Sequence, residues 1–461
     1  MTIWLPDREH LTRPVYLSLA QQIARAIESG DLKPGQRLPT HRALADQLHI
    51  SVQTVSRAYD ELIRKGLVAG QVGRGTYVCE VMGEPEPPFI RERPDELIDL
   101  SMLRPVAGDI HRERMQTALI DLAPRIAGRL LHSFRPDVVL RPHKQAAVDW
   151  LKRCGVQARA DNIQIVNGAT PAMTLAIMTA LRPGETLATE VIGHHTLVAL
   201  ARYLGVNLVG LPIDNEGVLP DGFEASCREH RVKALFLVPS VANPTVSVMG
   251  LARRLEIIDI ARKHDVAIIE NEAWGPLVKD TPPAFAALSP ERAYYLTSFT
   301  KCVAPALRIG YLVSPEHVVA SAANRHLVTN WIATPIMSAL ASQWVSDGTA
   351  WELVRWQRRA LRARFEMAHE CLRGVDFRSH PESLHIWLKL PASWREEEFV
   401  AHCRLRGVAV APGASFVTTP AHTAGGIRVC IGAGEAREIR RGLEIIASIL
   451  SGAPEPALLT I

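Results

Sequence analysis

The sequence predicts an α/β chain in two unequal parts: a small helical head closed by a β-hairpin, and a large body where apolar strands alternate with amphipathic helices. Three observations lead there. The head places apolar residues at helical spacing between well-marked caps. The stretch Glu80 to Glu96 holds Pro85, Pro87, Pro88 and Pro94 among many charges, with little that could enter a core, and reads as a semi-extended linker. From Leu97 onward, short apolar runs alternate with helix-period segments. The expected divisions are residues 1–79 for the head, 80–96 for the linker and 97–450 for the body.

Composition bounds the class. The chain has 461 residues, room for roughly three units of about 150 residues each. An apolar fraction of 47% and a charged fraction of 22% give a globular profile, and exclude both a chain disordered throughout and a small disulfide scaffold. Lys and Arg number 52 against 48 Asp and Glu, a net charge of +4. That is too balanced to argue for nucleic acid from the total, so only local charge can. No apolar run reaches the roughly 18 residues of a bilayer span. The longest candidate, Thr170 to Leu181, is interrupted by Thr174 and Thr179. The opening residues carry no signal-peptide core. A cytoplasmic protein without a membrane partner is expected. The seven cysteines (Cys79, Cys154, Cys227, Cys302, Cys371, Cys403, Cys430) are scattered and never spaced C-x-x-C, so they read as free thiols, with no disulfide framework and no metal site.

In the head, Tyr16, Leu19, Ala20, Ile23, Ala24 and Ile27 form one helical stripe that Gly30 ends, and Pro34-Gly35 turns the chain. Thr40 caps a second short helix carrying Leu44, Ala45 and Leu48. Ser51 caps a third, with Val55, Ala58, Tyr59 and Leu62 inward, and Gly66 stops it. LVAG and QVGRGTYV then read as two short strands around Gly73-Arg74-Gly75. This order is that of a winged helix-turn-helix, whose third helix enters the major groove of an operator. The candidate DNA contacts are Ser51, Gln53, Thr54, Ser56 and Arg57 on that helix and its cap, with Arg42 at the start of the second helix and Arg74 at the wing tip. Gln53 suits a base edge; Ser56 and Arg57 suit phosphate. Up to Cys79 the head has 10 Lys/Arg and 7 Asp/Glu, a local excess of +3.

LKPGQRLPTHRALADQLHISVQTVSRAYDELIRKGLV together with GRGTYV resembles the GntR-type DNA-binding domain over about Tyr16 to Val78. One departure is Val52, where that family often has Arg after the capping Ser.

In the body, IQIVNGATPAMTLAIMTAL reads as a strand, the turn Gly168-Ala169-Thr170, and a helix whose free N-terminal N–H groups suit a phosphate. PSVANPTVSVMGLARRLEIIDIARKHDVAIIENEAWGPL gives a loop with Asn243-Pro244, an amphipathic helix and the strand VAIIE. SFTKCVAPALRIGYLVSP sets Ser298, Thr300, Lys301 and Arg308 close together after the strand AYYL. A lysine shielded there has a lowered pKa and becomes a nucleophile toward an aldehyde. Ser298 and Arg308 suit a nearby phosphate.

From roughly Leu97 to Leu450 these segments resemble a fold-type-I pyridoxal 5′-phosphate (PLP) aminotransferase, with large and small subdomains. A GntR head on such a body is the MocR type of transcriptional regulator. The resemblance implies that Lys301 is the residue linked to PLP, that Gly168, Ala169, Thr170, Ser298 and Arg308 hold its phosphate, and that Asn243 meets the ring hydroxyl. It implies that Arg428, in IRVCIG, binds the carboxylate of an amino-acid ligand; a planar guanidinium matches a carboxylate bidentately. It also implies a homodimer with the site at the subunit interface.

The departures from the family shape the expected function. Where the family reads Glu-Asp-Asp-x-Tyr, this chain has Glu270-Asn271-Glu272-Ala273-Trp274. Asn271 stands where an aspartate pairs with the pyridine nitrogen and keeps the ring an electron sink. Glu270 and Glu272 flank it but belong to the opposite strand face. Trp274 replaces a Tyr directed at the ring hydroxyl, and His194 replaces a stacking Tyr. Phe134 and Lys144 stand where a Tyr and an Arg are typical. The expectation is a regulator whose body dimerises and senses an amino acid or PLP-related effector, with weak or no transamination. A working aminotransferase, and a regulator that has lost PLP, stay open as alternatives.

Overall fold

The computed structural model describes residues 4–8, 10–33, 35–64, 67–71, 75–78, 97–132, 135–419 and 422–452. The expected linker, Gly66, Arg74, Cys79 and Phe134 lie outside the described residues. Contacts divide the chain into two units, Met1–Pro94 and Asp95–Ile461.

In the first unit, α1 (Val15–Glu28), α2 (His41–Leu48) and α3 (Val52–Arg64) precede an antiparallel hairpin of β1 (Val68–Gln71) and β2 (Gly75–Val78). The caps fall where the sequence places them. Thr40 Oγ1 accepts from the Ala43 N–H at 3.3 Å, and Ser51 Oγ accepts from the Thr54 N–H at 3.1 Å. Each satisfies a donor that the first helical turn leaves free. Leu19, Ile23, Leu44, Leu48, Val55 and Leu62 are among the residues that close one core. The Tyr59 ring is buried and its hydroxyl donates to Pro39 O at 2.8 Å, which ties α3 to the entry of α2. The wing is broader than expected. Leu38 N–H donates to Thr76 O and Val78 N–H to Gln36 O, so residues 36–38 extend the hairpin on its second edge.

The second unit is built on a seven-stranded sheet. Its strands are β3 (Ile163–Val166), β4 (Thr186–Glu190), β5 (Asn207–Leu211), β6 (Val232–Leu237), β7 (Ala267–Asn271), β8 (Ala293–Ser298) and β9 (Gly310–Val313). The spatial order is β3-β9-β8-β7-β6-β4-β5, with β9 antiparallel to both of its neighbours and the other pairings parallel. β8 is buried at every residue, as expected of a strand covered on both faces. The helices covering the sheet include α4 (Pro136–Arg153), α5 (Ala169–Ala180) and α6 (Leu251–Lys263). The 23-residue α7 (Thr349–Cys371) spans toward a smaller sheet. That sheet contains β10 (Phe377–Arg378), β11 (His385–Lys389), β12 (Ala411–Pro412) and β13 (Gly426–Cys430) in the order β10-β11-β13-β12, backed by α8 (Ala436–Ser451).

This topology decides where a ligand can sit. In an open sheet of parallel strands, the loops beyond the carboxyl ends form the crevice. The carboxyl ends of β3, β4, β6, β7 and β8 deliver Gly168, His194, Asn243, Asn271 and Lys301. The antiparallel register pairs Gly310 with both Ser298 and Val166, which brings Arg308 to the turn that follows β3.

Among the described residues, no helix is long and apolar enough to cross a membrane. Six cysteines are free and no cluster suits a metal ion, again among the described residues.

Candidate functional site

One side of the candidate site starts at Gly168. Its φ of +101° is glycine territory. A Cβ there would come within 2.9 Å of the Arg308 guanidinium, so the missing side chain makes the space for that contact. Gly310 does the same for backbone: a Cβ on it would meet Thr297 O at 2.9 Å and Gly168 O at 3.1 Å. Arg308 Nη2 donates to Asn167 O at 3.2 Å, and Nη1 to Thr300 Oγ1 at 3.4 Å. Ser298 Oγ accepts from the Thr300 N–H at 3.2 Å. α5 begins at Ala169 and Thr170 without a side-chain cap. Gly168, Thr300 and Arg308 therefore meet at one turn, with Ser298 tied to it through Thr300, and the leading end of α5 begins there.

The deeper wall is built around Arg428. β13 places its guanidinium so that Nη1 donates to Asn243 Oδ1 at 2.8 Å and Nη2 donates to Ser101 O at 2.8 Å. The guanidinium lies 4.7 Å from the centre of the Phe416 ring. Its Nε is buried without a hydrogen-bond partner. Such an atom is uncommon in a folded chain and suits an acceptor brought by a ligand.

Lys301 lies between these parts, half-buried, with Nζ donating to Leu103 O. Burial, and the charges of Arg428, Arg308 and Arg104, lower its pKa to about 8. The His194 and His195 rings stack with centroids 5.0 Å apart and planes 11° apart. Burial, His195, Arg428 and Lys301 hold His194 well below the usual histidine range, so it is neutral at pH 7.

No carboxylate faces this set from the strand that ends in Asn271. Asn271 is buried, and its Oδ1 accepts from the Ala273 N–H at 3.1 Å. Glu270 is spent on the Arg254 guanidinium at 3.3 Å and on the N–H groups of Phe285 and Ala286. Glu272 accepts from Ser240 Oγ at 2.7 Å. Trp274 does not have the role expected of it. Its indole N–H is committed to Ser240 O at 3.1 Å and Val241 O at 3.0 Å, so it fixes the loop leading to Asn243 and has no donor to offer a ring hydroxyl.

Several contributors carried no sequence signal. Ser101 and Leu103 act through backbone carbonyls, which any residue type supplies. Arg104 was a lone residue in unremarkable surroundings, and His195 stood beside His194 without a motif of its own. Lys144 lies within α4, half-buried.

In the head, Arg42, Gln53 and Arg57 are exposed, and Ser56 is half-buried. The Arg57 guanidinium lies 4.1 Å from the centre of the Tyr16 ring, which holds it against α1. The hydroxyls of Ser51 and Thr54 bond each other at 2.8 Å. Ser51 therefore acts on the helix end, while Gln53 projects from an otherwise open first turn.

The body fits the group that the family resemblance implies. The Gly168 turn admits the Arg308 guanidinium beside the start of α5, a donor set that suits a phosphate, Lys301 is an amine of lowered basicity, and Arg428 has an orphaned N–H for an acidic ligand.

Comparison with known proteins gives the family of each part. Residues 112–446 match the family described as aminotransferase class I and II, and residues 15–78 match the bacterial regulatory proteins of the gntR family. The HTH-type transcriptional regulator YdeF of Bacillus subtilis is 26% identical over 462 residues, covering 97% of this chain and 96% of its own length. The HTH-type pyridoxine biosynthesis transcriptional regulator PdxR of Corynebacterium glutamicum is 27% identical over 319 residues, covering 66% of this chain and 67% of its own. The crystal structure of a Pyrococcus horikoshii kynurenine aminotransferase superposes with a TM-score of 0.71 at 22% identity, over 77% of this chain and 91% of that one.

Proposed function

Because the chain belongs to the class I and II aminotransferase family and carries a head of the gntR family of bacterial regulatory proteins, we propose that it is a DNA-binding transcription regulator of the MocR type. The winged helix binds an operator; the body holds PLP, pairs with a second copy and senses an amino acid or a PLP-related molecule. PdxR's association with pyridoxine biosynthesis supports the second kind of effector. A homodimer fits because paired heads read paired half-sites. The work is done in the cytoplasm, where DNA is.

The observation that carries this reading is Asn271. When bound, PLP supplies an electrophilic carbon to an amine and a conjugated sink for electrons, and the sink is strong when the ring nitrogen is protonated. Here the end of β7 offers an amide, its neighbouring carboxylates are engaged elsewhere, and the charges that act on Lys301 include those of Arg428, Arg308 and Arg104. Positive surroundings and an amide both disfavour a pyridinium.

The candidate site residues then have binding roles. Lys301, with its pKa near 8, is uncharged often enough at neutral pH to capture an aldehyde. Gly168, Ala169, Thr170, Ser298 and Arg308 would hold the phosphate, and Asn243 the ring hydroxyl. Neutral His194 would lie against the ring without adding charge. Arg428 would orient the effector's carboxylate. Occupancy is passed to the head by linkage, since a ligand shifts DNA affinity only through unequal binding to two arrangements of the protein.

The test is DNA binding by fluorescence anisotropy, using a fragment from upstream of the chain's own gene, with and without PLP and candidate amino acids. A shift in affinity in wild type that vanishes in Lys301→Ala is expected. An affinity that ignores every ligand contradicts the sensor role. The orphaned Nε of Arg428 also favours a second reading, a catalytic aminotransferase acting on an amino acid. Rapid wild-type amino-group transfer, unimproved by Asn271→Asp, would establish it instead.

A further inference from the structure

A cavity of about 550 Å³ opens beyond the end of β7, and it shares no residue with the Lys301 cluster. Its walls come from the end of α4, the 275–284 loop and α7. Two wall residues carry buried polar atoms that lack any hydrogen-bond partner: Trp351 Nε1 and Glu272 Oε2. Trp351 is 8% exposed and Glu272 5%, so bulk water does not serve these atoms. A folded chain leaves few such atoms unsatisfied, and two in one cavity wall point to an occupant.

The charge of the wall indicates which occupant. Arg153 lies with its guanidinium 5.7 Å from the centre of the Trp351 ring. Arg358 is fixed by donating to Leu277 O at 3.0 Å and Pro276 O at 2.8 Å. Lys279 and Asp280 stand exposed at the rim, and the buried Glu382 accepts from the Lys279 N–H at 2.7 Å and faces Arg358, so the three cations Arg153, Lys279 and Arg358 stand against two carboxylates. Arg254 is already committed to Glu270, Met249 O, Pro283 O and Ser240 Oγ. Burial, together with the nearby Glu270 carboxylate, pushes Glu272 up to about 8, so at neutral pH it is a neutral acid able to donate. The interior thus offers N–H and O–H donors under a positive rim, which suits an anion rather than a cation.

We propose that this cavity is a second ligand site, for a small organic anion (a carboxylate or a phosphate ester) whose acidic oxygens lie among Arg153, Lys279 and Arg358 and accept the Trp351 N–H. The site is joined to the first by a short bonded route. Glu272 holds Ser240, and the carbonyls of Ser240 and Val241, three and two residues before Asn243, hold Trp274. An occupant therefore presses on the loop that supports Asn243.

The test uses the full chain incubated with PLP and labelled with 5-fluorotryptophan, so that each indole reports separately by fluorine NMR. Trp351→Phe identifies the Trp351 line. Succinate and inorganic phosphate are titrated separately. A saturable movement of that line with either acid is expected, weakened roughly tenfold or more in an Arg153→Ala, Lys279→Ala double variant. Both side chains are exposed, so the variant is expected to fold. A response to succinate alone assigns a carboxylate; a response to phosphate alone assigns a phosphate ester. A line that neither acid moves, or that moves equally in the double variant, overturns the proposal. It does not depend on the cofactor: a responding line in protein that retains no PLP would remove the PLP reading and leave this site standing.

Discussion

At the scale of single residues, Lys301 and Asn271 set the chemistry between them. A lysine pKa of about 8 leaves roughly a tenth of the amine free at pH 7 and about nine-tenths at pH 9. The rate of PLP capture, followed by absorbance, should therefore climb steeply from pH 6 to 8 and flatten above it. An unperturbed lysine would keep climbing past pH 10. The same shift has a sign for stability. A folded-state pKa below the unfolded value means that the unfolded chain binds more protons between about 8 and 10.5, so stability rises with pH across that window. Lys301→Met should remove that rise in thermal melts. For Asn271, the Asp variant adds a carboxylate at the end of β7, which in the proposed reading meets the ring nitrogen, and amino-group transfer should increase by at least roughly tenfold. That Lys301, Arg308 and Arg428 would come together was legible in the sequence because each proposed role demands a particular side chain. Their partners Leu103 O and Ser101 O were not, because a carbonyl looks the same in every residue.

At the scale of elements, the turns and caps do the positioning. The helix ends at Thr40 and Ser51 were readable because capping is local chemistry, settled within three residues. Thr40→Ala and Ser51→Ala should each lower the stability of the head by about 1 kcal/mol, measured by denaturant unfolding. The Gly168 turn was readable as a small-residue βα turn. Its dependence on Gly310 and Arg308 came only with the register of β9, an antiparallel strand that nothing local announces. Gly168→Ala combines a left-handed backbone with a contact to the guanidinium, so PLP affinity should fall tenfold or more while the far-ultraviolet spectrum holds. Trp274 teaches the complementary lesson. Its place in the motif suggested a ligand contact, whereas the loop carbonyls beside it had first claim on its N–H. The third edge of the wing was missed because residues 36–38 are too few to show a strand's alternation.

At the scale of the whole molecule, the sequence divides cleanly because its two parts have different textures: short capped helices in one, alternating buried strands in the other. Gln53 is the cleanest probe of the head, since it is exposed and free of the stacking that anchors Arg57. Gln53→Ala should weaken specific operator binding by roughly tenfold and leave the salt-dependent, non-specific binding nearly unchanged. The link from body to head rests on a single claim, that the amine of Lys301 captures PLP. Incubation with PLP, reduction with borohydride and peptide mapping test it directly. The account predicts one pyridoxyl group, on the peptide containing Lys301, and none in Lys301→Ala. A label spread over surface lysines, or absent altogether, would contradict it.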